Sequence, residues 1–177
     1  SGKVAEIEVN TGETKKKKIP YVSIKGAIQF GEDKVHTRRF ETYVQEQKSD
    51  GGENKLYEPT LTWAKSAKSI AKVGFDEATL VEVQGAFETN DYVNSEDKLV
   101  ESLNVSGKFF NDFDVNKGYK GIADVEGYIQ SINEETKGED QTETGRLRVN
   151  VITSDFFGNV IPVKNIIVPK ELHDDFL

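Results

Sequence analysis

From Ile19 onward the apolar residues recur at every second position in runs of about ten residues, and polar loops separate the runs. A period of two is the pleat of a strand with one face buried, so this rhythm commits most of the chain to β-structure. In Tyr21 to Phe30, Val22, Ile24, Gly26, Ile28 and Phe30 share one face, predicted to be core, and Tyr21, Ser23, Lys25, Ala27 and Gln29 share the other. A second strand is predicted over about Lys34 to Gln47 with Phe40 and Val44 inward, and Lys48 to Lys55, with Ser49-Asp50-Gly51-Gly52, reads as a hairpin tip. A third strand, Leu56 to Trp63, runs into Ala64 to Lys72, which has no Gly or Pro, puts Ala67, Ile70 and Ala71 on one helical face, and ends at Gly74. A fourth, Thr79 to Tyr92, turns Val81, Val83, Gly85 and Phe87 inward and Glu82, Gln84, Ala86, Glu88 and Tyr92 outward. A fifth, Lys98 to Val105, buries Leu99, Leu103 and Val105, and Glu101 on that face predicts a bulge or an edge.

Five strands with one helix between the third and fourth predict an all-β chain built on an OB-fold, a five-stranded barrel. Residues 1–18 read as a flexible N-terminal arm, 19–112 as the OB-fold domain and 119–177 as an appended β module. The module contains an acidic loop, Asn133 to Gly145, strands Arg146 to Ser154 and Val160 to Val168, and a short helix from Lys170 to Phe176. Its opening, Val125-Glu126-Gly127-Tyr128-Ile129-Gln130, repeats the pattern of Ile24-Lys25-Gly26-Ala27-Ile28-Gln29, which predicts either a partial second OB-like repeat or an extension of the first barrel.

Charge and composition narrow the chemistry. The chain carries −8 overall, but residues 1–74 hold 14 Lys+Arg against 10 Asp+Glu, whereas residues 75–177 hold 9 against 21. A local basic surface can still hold a polyanion within a Debye length of about 8–10 Å. Lys15 to Lys18 form the densest positive run, which reads as a solvated flexible arm or, in the alternative, as a phosphate-contacting one. With no Cys there is no disulfide, thiolate nucleophile or Cys-ligated zinc, and the two imidazoles, His36 and His173, are far apart in sequence. No carboxylate pair sits in the apolar setting that acid–base work needs, and no Gly-rich phosphate loop or His-Glu metal helix occurs, so no catalytic residue, metal or cofactor is expected. Asp112 to Gly118 imitates a calcium loop, but Ala123 stands where the bidentate Glu belongs. No apolar run reaches the roughly 18–20 residues of a membrane span and the chain opens without a signal-peptide pattern, so a cytoplasmic protein is expected.

Over roughly residues 20–106 the order of motifs resembles the bacterial and phage single-stranded DNA-binding protein family. Val22-Ser23-Ile24-Lys25-Gly26-Ala27-Ile28 is similar to that family's first strand, and Trp63-Ala64-Lys65-Ser66-Ala67 to its entry into the helix, with Ala64 in place of Gly. Val81-Glu82-Val83-Gln84-Gly85-Ala86-Phe87-Glu88-Thr89-Asn90-Asp91-Tyr92 is similar to a later strand, with Gly85, Thr89 and Tyr92 in register. Glu88 and Asn90 replace the arginines usual around that Thr, and residues 107–177 replace a disordered tail whose acidic, Phe-containing tip His173-Asp174-Asp175-Phe176 resembles. The resemblance implies non-catalytic, sequence-tolerant binding of single-stranded DNA in replication or recombination, in the host cytoplasm for a phage-encoded chain. It also implies base platforms at Tyr57, Trp63 and Tyr92.

Such binding needs exposed aromatics interleaved with cations on one sheet face. Tyr21, Lys25, Arg39, Tyr43 and Tyr92 meet this requirement by alternation, and Arg38 and Lys65 join them as phosphate contacts. Trp63 and Tyr57 are open between base platform and core, because alternation puts them with Leu61. Partners in this reading are single-stranded DNA, with replication or recombination proteins and further copies of the chain as candidates. The rival is an OB-type protein-interaction or structural module without DNA binding.

Overall fold

The computed structural model describes all residues except 31–35, 90, 101, 115, 117, 119, 156, 157 and 177. Among the described residues are ten strands: β1 (Gly2–Glu13), β2 (Pro20–Phe30), β3 (His36–Gln45), β4 (Leu80–Thr89), β5 (Tyr92–Val93), β6 (Leu99–Val100), β7 (Leu103–Asn111), β8 (Tyr128–Lys137), β9 (Thr142–Ser154) and β10 (Val160–Val168). Two short helices, α1 (Tyr57–Ser66) and α2 (Ile70–Val73), lie between β3 and β4. The chain divides into two compact units, residues 1–86 with 104–122, and residues 87–103 with 123–177.

In the first unit five strands close a barrel in the order β1-β2-β3-β7-β4. β1, β2 and β3 form an antiparallel meander, β3 meets β7 in parallel at Glu41 and Ser106, and β1 closes on β4 through Gly2–Val81 and Lys3–Leu80. With the helices between β3 and β4, this is the OB-fold expected from the alternation. Its core joins Val4, Val22, Ile24, Ile28, Phe40, Val44 and Val81, all buried. Gly26 lies among them because a Cβ there would come 2.5 Å from Cζ of Phe40, so the missing side chain makes room for that ring.

The barrel's first strand is not where alternation set it. Residues 1–18 are no flexible arm: Val4 is fully buried, and the buried Lys3 ammonium donates to the carbonyls of Phe75 and Asp76 and lies 4.3 Å from the centre of the Phe75 ring. A register shift between Val4 and Glu6 explains the misreading, since the extra residue moves the apolar phase from Val4 to Ile7 and Val9. The strand that the family resemblance makes first is therefore the second of this barrel.

The predicted third strand, Leu56 to Trp63, is helical. Tyr57, Thr60 and Ala64 are its buried residues, a spacing of three and four, and Pro59 is tolerated in the first turn, where no backbone donor is needed. The helix expected over Ala64 to Lys72 is split: α1 stops at Ser66, Ala67 is extended, and α2 ends at Gly74, whose φ of 83° is left-handed. The predicted fifth strand is also split into β6 and β7, leaving Leu99 exposed; Glu101 and its expected bulge lie outside the described residues.

The second unit holds an antiparallel sheet in the order β10-β9-β8 and the two-stranded β5–β6 ribbon. Leu147, Val149 and Val168 form the sheet's buried cluster, with Ile132, Val151, Ile166 and Phe176 against it. The supposed acidic loop 133–145 is mostly strand, the ends of β8 and β9. The repeated pattern does not occupy equivalent places, because Ile24 to Gln29 lies inside β2 with both isoleucines buried, whereas Val125 to Gln130 straddles the start of β8 with Ile129 exposed. The acidic tip is likewise no free tail. Residues Lys170–Asp175 form a 3-10 helix, and Phe176 packs on the sheet. Among the described residues no helix is long and apolar enough to cross a membrane.

Candidate nucleic-acid interface

Strand pairing fixes which side chains share the outer face of the β1–β2–β3 meander. Opposite the outward residues of β2, β1 offers Gly12 to Tyr21, Asn10 to Ser23 and Glu8 to Lys25. On the other side β3 offers Gln45 to Tyr21, Tyr43 to Ser23, Glu41 to Lys25 and Arg39 to Ala27. The alternation read from Tyr21 to Phe30 therefore carries across three strands, and Tyr21, Lys25, Arg39 and Tyr43 do share one face.

Tyr43 is 55% exposed, and its ring centre lies 5.3 Å from that of the half-buried Tyr21 at an interplanar angle of 33°. Gln45 Nε2 donates to the Tyr43 hydroxyl at 3.2 Å. The two rings thus touch each other, and Tyr43 turns its remaining surface to solvent. Lys25 is less useful than it looked, because Glu8 and Glu41 stand opposite it on both neighbouring strands. Cross-strand carboxylates of this kind offset a cation's attraction for phosphate.

Arg38 and Arg39 do not act as a pair. Adjacent strand residues point to opposite faces, and Arg38 pairs with the buried Ile28 on the barrel side of β3, although it remains exposed. Tyr57 is 7% exposed, so it has no free ring face for a base; burial, with Glu46 and Glu58 nearby, raises its hydroxyl pKa. Trp63 stacks on Phe110, with ring centres 4.1 Å apart and planes 19° from parallel, and packs beside Phe40. It is a half-buried packing residue of α1 against the barrel. Lys65 is exposed on the same helix. Tyr92 is 52% exposed as alternation predicted, but belongs to the second unit, in a stretch, residues 87–103, with five carboxylates and one lysine. That lysine, Lys98, pairs with Glu96 at 2.9 Å. Among the assigned residues the outer face brings together Tyr21, Tyr43, Lys25 and Arg39, and Arg38, Tyr57, Trp63, Lys65 and Tyr92 are not part of that face or belong to the other unit.

Lys15 to Lys18, read from sequence as a solvated arm with phosphate contact as its alternative, lie near this face. They form the β1–β2 turn, all four exposed, rather than a loose arm. Thr14 holds the turn: its N–H donates to the Ile19 carbonyl (2.9 Å), its carbonyl accepts from Lys18 N–H (3.1 Å), and its Oγ1 accepts from Ile19 N–H (3.0 Å). Lys18 takes a left-handed φ of 53° to close it. Glu13–Pro20 is the last pair before the turn and Gly12–Tyr21 the next, so at about 3.3 Å per residue the lysines begin within roughly 10 Å of the Tyr21–Tyr43 pair along the strands. A usable signal was present: Ile7 and Val9 before the lysines and Val22 and Ile24 after them have the symmetry of a hairpin.

Compared with known proteins, the chain is matched over residues 1–177 by the model of the YorF family. No curated protein and no solved structure matches it.

Proposed function

We propose that this chain, which belongs to the YorF family, binds single-stranded DNA without strong sequence preference, in the replication or recombination steps that expose single strands. One observation carries the reading. Within residues 12–25 five lysines stand against a single carboxylate, Glu13, and the β1–β2 hairpin holds four of those lysines beside the Tyr21–Tyr43 pair. Any base can stack on an exposed tyrosine, at about 1–3 kcal/mol per base, while lysines attract the adjoining phosphates; neither contact reads base edges. The centre is therefore the turn end of the hairpin, with Arg39 further along the face and Lys25 offset by Glu8 and Glu41.

The test is titration of a labelled oligo-dT at several salt concentrations. Log affinity falls with log salt at about −0.7 per phosphate contacted, and replacing Lys15, Lys16 and Lys17 together by Ala lowers the slope by up to about 2. Absence of binding at low salt, or binding indifferent to salt and to the triple substitution, overturns the reading. A protein-interaction role is the second reading, favoured by Glu6, Glu8 and Glu41, which give the middle of the same face a carboxylate majority over Lys25 and Arg39.

A further inference from the structure

Gly12 is not explained by backbone conformation. It lies inside β1, where a glycine weakens a strand, and it is absent from the positive-φ residues, so any L-residue could adopt its backbone. What a side chain would press against is its neighbour across the hairpin, which would have to give by a few tenths of an ångström. A Cβ on Gly12 would lie 3.1 Å from the hydroxyl oxygen of Tyr21, 3.2 Å from its Cζ and 3.3 Å from its Cε1. The hydroxyl end of the Tyr21 ring therefore reaches over Gly12, with Tyr43 leaning on it from the next strand and Gln45 donating to the Tyr43 hydroxyl. Gly12, Tyr21 and Tyr43 make a relay across three strands that ends in the exposed ring.

Resting on the single-strand reading above, we propose that Gly12 and Tyr21 are positioning residues: the missing side chain at Gly12 leaves room for the tip of the Tyr21 ring, and Tyr21 holds Tyr43 where a base can stack. A ring already fixed in its binding orientation loses less side-chain freedom when the base arrives, which leaves more of the stacking energy as affinity. A purely structural account also exists, in which the Tyr21 ring only shields a weak glycine in the strand. The two accounts differ in what Gly12 controls.

The experiment uses the full chain, oligo-dT as probe, and the variants Gly12→Ala and Gly12→Val. Positioning requires both to bind more weakly, Val more than Ala, with the valine variant losing about five-fold or more, the low end of one stacked base. The salt slope stays unchanged, since no lysine is removed. In the free protein the Tyr43 ring resonances move in the same order while the melting temperature of Gly12→Ala stays near wild type. Adding Tyr21→Phe to Gly12→Ala removes the nearest clashing atom and recovers part of the lost affinity. Wild type that binds together with Gly12→Ala and Gly12→Val variants that bind equally well overturns the positioning role and leaves the single-strand reading standing. Wild type that does not bind overturns the single-strand reading itself, and the positioning role with it.

Discussion

The two units solve the same problem, burying one face of a short sheet, in different ways. The barrel closes its sheet on itself, so its five strands form a ring, and four of its side chains, Val4, Val22, Ile24 and Val81, have less than 2% exposure. The second unit's main sheet stays open, with β8 and β10 as edges, and among its described hydrophobic side chains only Leu147 and Val149 are buried that deeply. Its edges carry features that discourage pairing with other strands: Pro162 and Lys164 on β10, and two register shifts on β8. The units also differ in charge. The barrel unit holds 17 Lys+Arg against 15 Asp+Glu, whereas the second unit holds 6 against 16. Closure gives the barrel a continuous outer face on which to set a tyrosine pair beside a lysine turn, whereas the open sheet belongs to a unit in which carboxylates outnumber cations.

Polar bonding makes up part of what the smaller core lacks. Glu135 is buried at a shift in β8, where the Thr144 hydroxyl donates to it at 2.7 Å, Arg146 Nε at 2.6 Å and Arg148 Nη2 at 3.4 Å. The Thr144 hydrogen bond, then the bonds and charges of the two arginines, hold the Glu135 carboxyl below the ordinary glutamate range, against the desolvation that would raise it. Arg148 continues to Asn165 on β10, so the network spans all three strands.

The largest effects should come from the two cores, and they test whether the units fold separately. Ile24→Ala and Leu147→Ala each remove a fully buried side chain, and each should cost about 2–5 kcal/mol. Trp63, the only tryptophan, packs in the barrel unit, so its emission reports that unit alone. Leu147→Ala should lose β-sheet signal in circular dichroism at a temperature where Trp63 emission is still native, whereas Ile24→Ala should shift both. A single transition common to both probes in the Leu147→Ala protein would show that the units melt as one.

Next comes the platform. Tyr43→Ala should weaken oligo-dT binding by roughly 5- to 150-fold, the equivalent of about 1–3 kcal/mol, with the salt slope unchanged. Trp63 emission should stay constant through the titration, because its ring is stacked on Phe110 and not free for a base. Strong quenching at saturation would return Trp63 to the binding site and break the contrast between face and core.

A smaller effect, and one with a pH signature, belongs to Glu135. Its folded carboxyl lies below its unfolded value of about 4.3, so its stabilisation is fully present above that pH and is lost as pH falls through the folded value. Glu135→Gln should therefore melt earlier than wild type at neutral pH, and the two melting curves should converge in acid. Because both arginines are partly exposed, the neutral-pH gap should be smaller than that of Leu147→Ala. A gap that persists unchanged at low pH would mean that the site stabilises through shape and not charge.

Much of this architecture was legible in sequence because alternation survives wherever a strand keeps its phase. β2 and β10 were readable almost to the residue and β3 to within two residues at its C-terminal end, and the outer-face set of Tyr21, Lys25, Arg39 and Tyr43 followed from the same rule. Failures trace to places where local pattern and backbone part company. A one-residue slip hid β1, and with it the fact that Lys15 to Lys18 form a pinned turn. Tyr57 to Trp63 alternates well enough to pass for a strand, yet its buried residues follow helical spacing, which puts Tyr57 and Trp63, open in sequence between base platform and core, among the packing residues. Whether a cation is offset depends on cross-strand neighbours, and Glu8 and Glu41 beside Lys25 become visible only once register is known.

The smallest predicted effect is the sharpest check on the contrast between units. Tyr92 was assigned as a base platform by outward alternation and by the family resemblance, and it is indeed exposed. Exposure alone does not make a nucleic-acid contact. Tyr92 pairs with Val100 in the two-residue β5–β6 ribbon, in a stretch with five carboxylates and a single lysine already paired to Glu96. A phosphate brought to that ring would meet repulsion, and no cation of the stretch is left to offset it. Tyr92→Ala should therefore change oligo-dT affinity by less than about two-fold, well under the 1–3 kcal/mol of a stacked base. Stability should move by no more than about 0.5 kcal/mol, as for other surface substitutions. Measured beside Tyr43→Ala in the same salt, the pair separates two exposed tyrosines by their electrostatic surroundings. A Tyr92→Ala protein that loses as much affinity as Tyr43→Ala would show that the acidic unit takes part in binding, and the proposed confinement of binding to the barrel unit would fail.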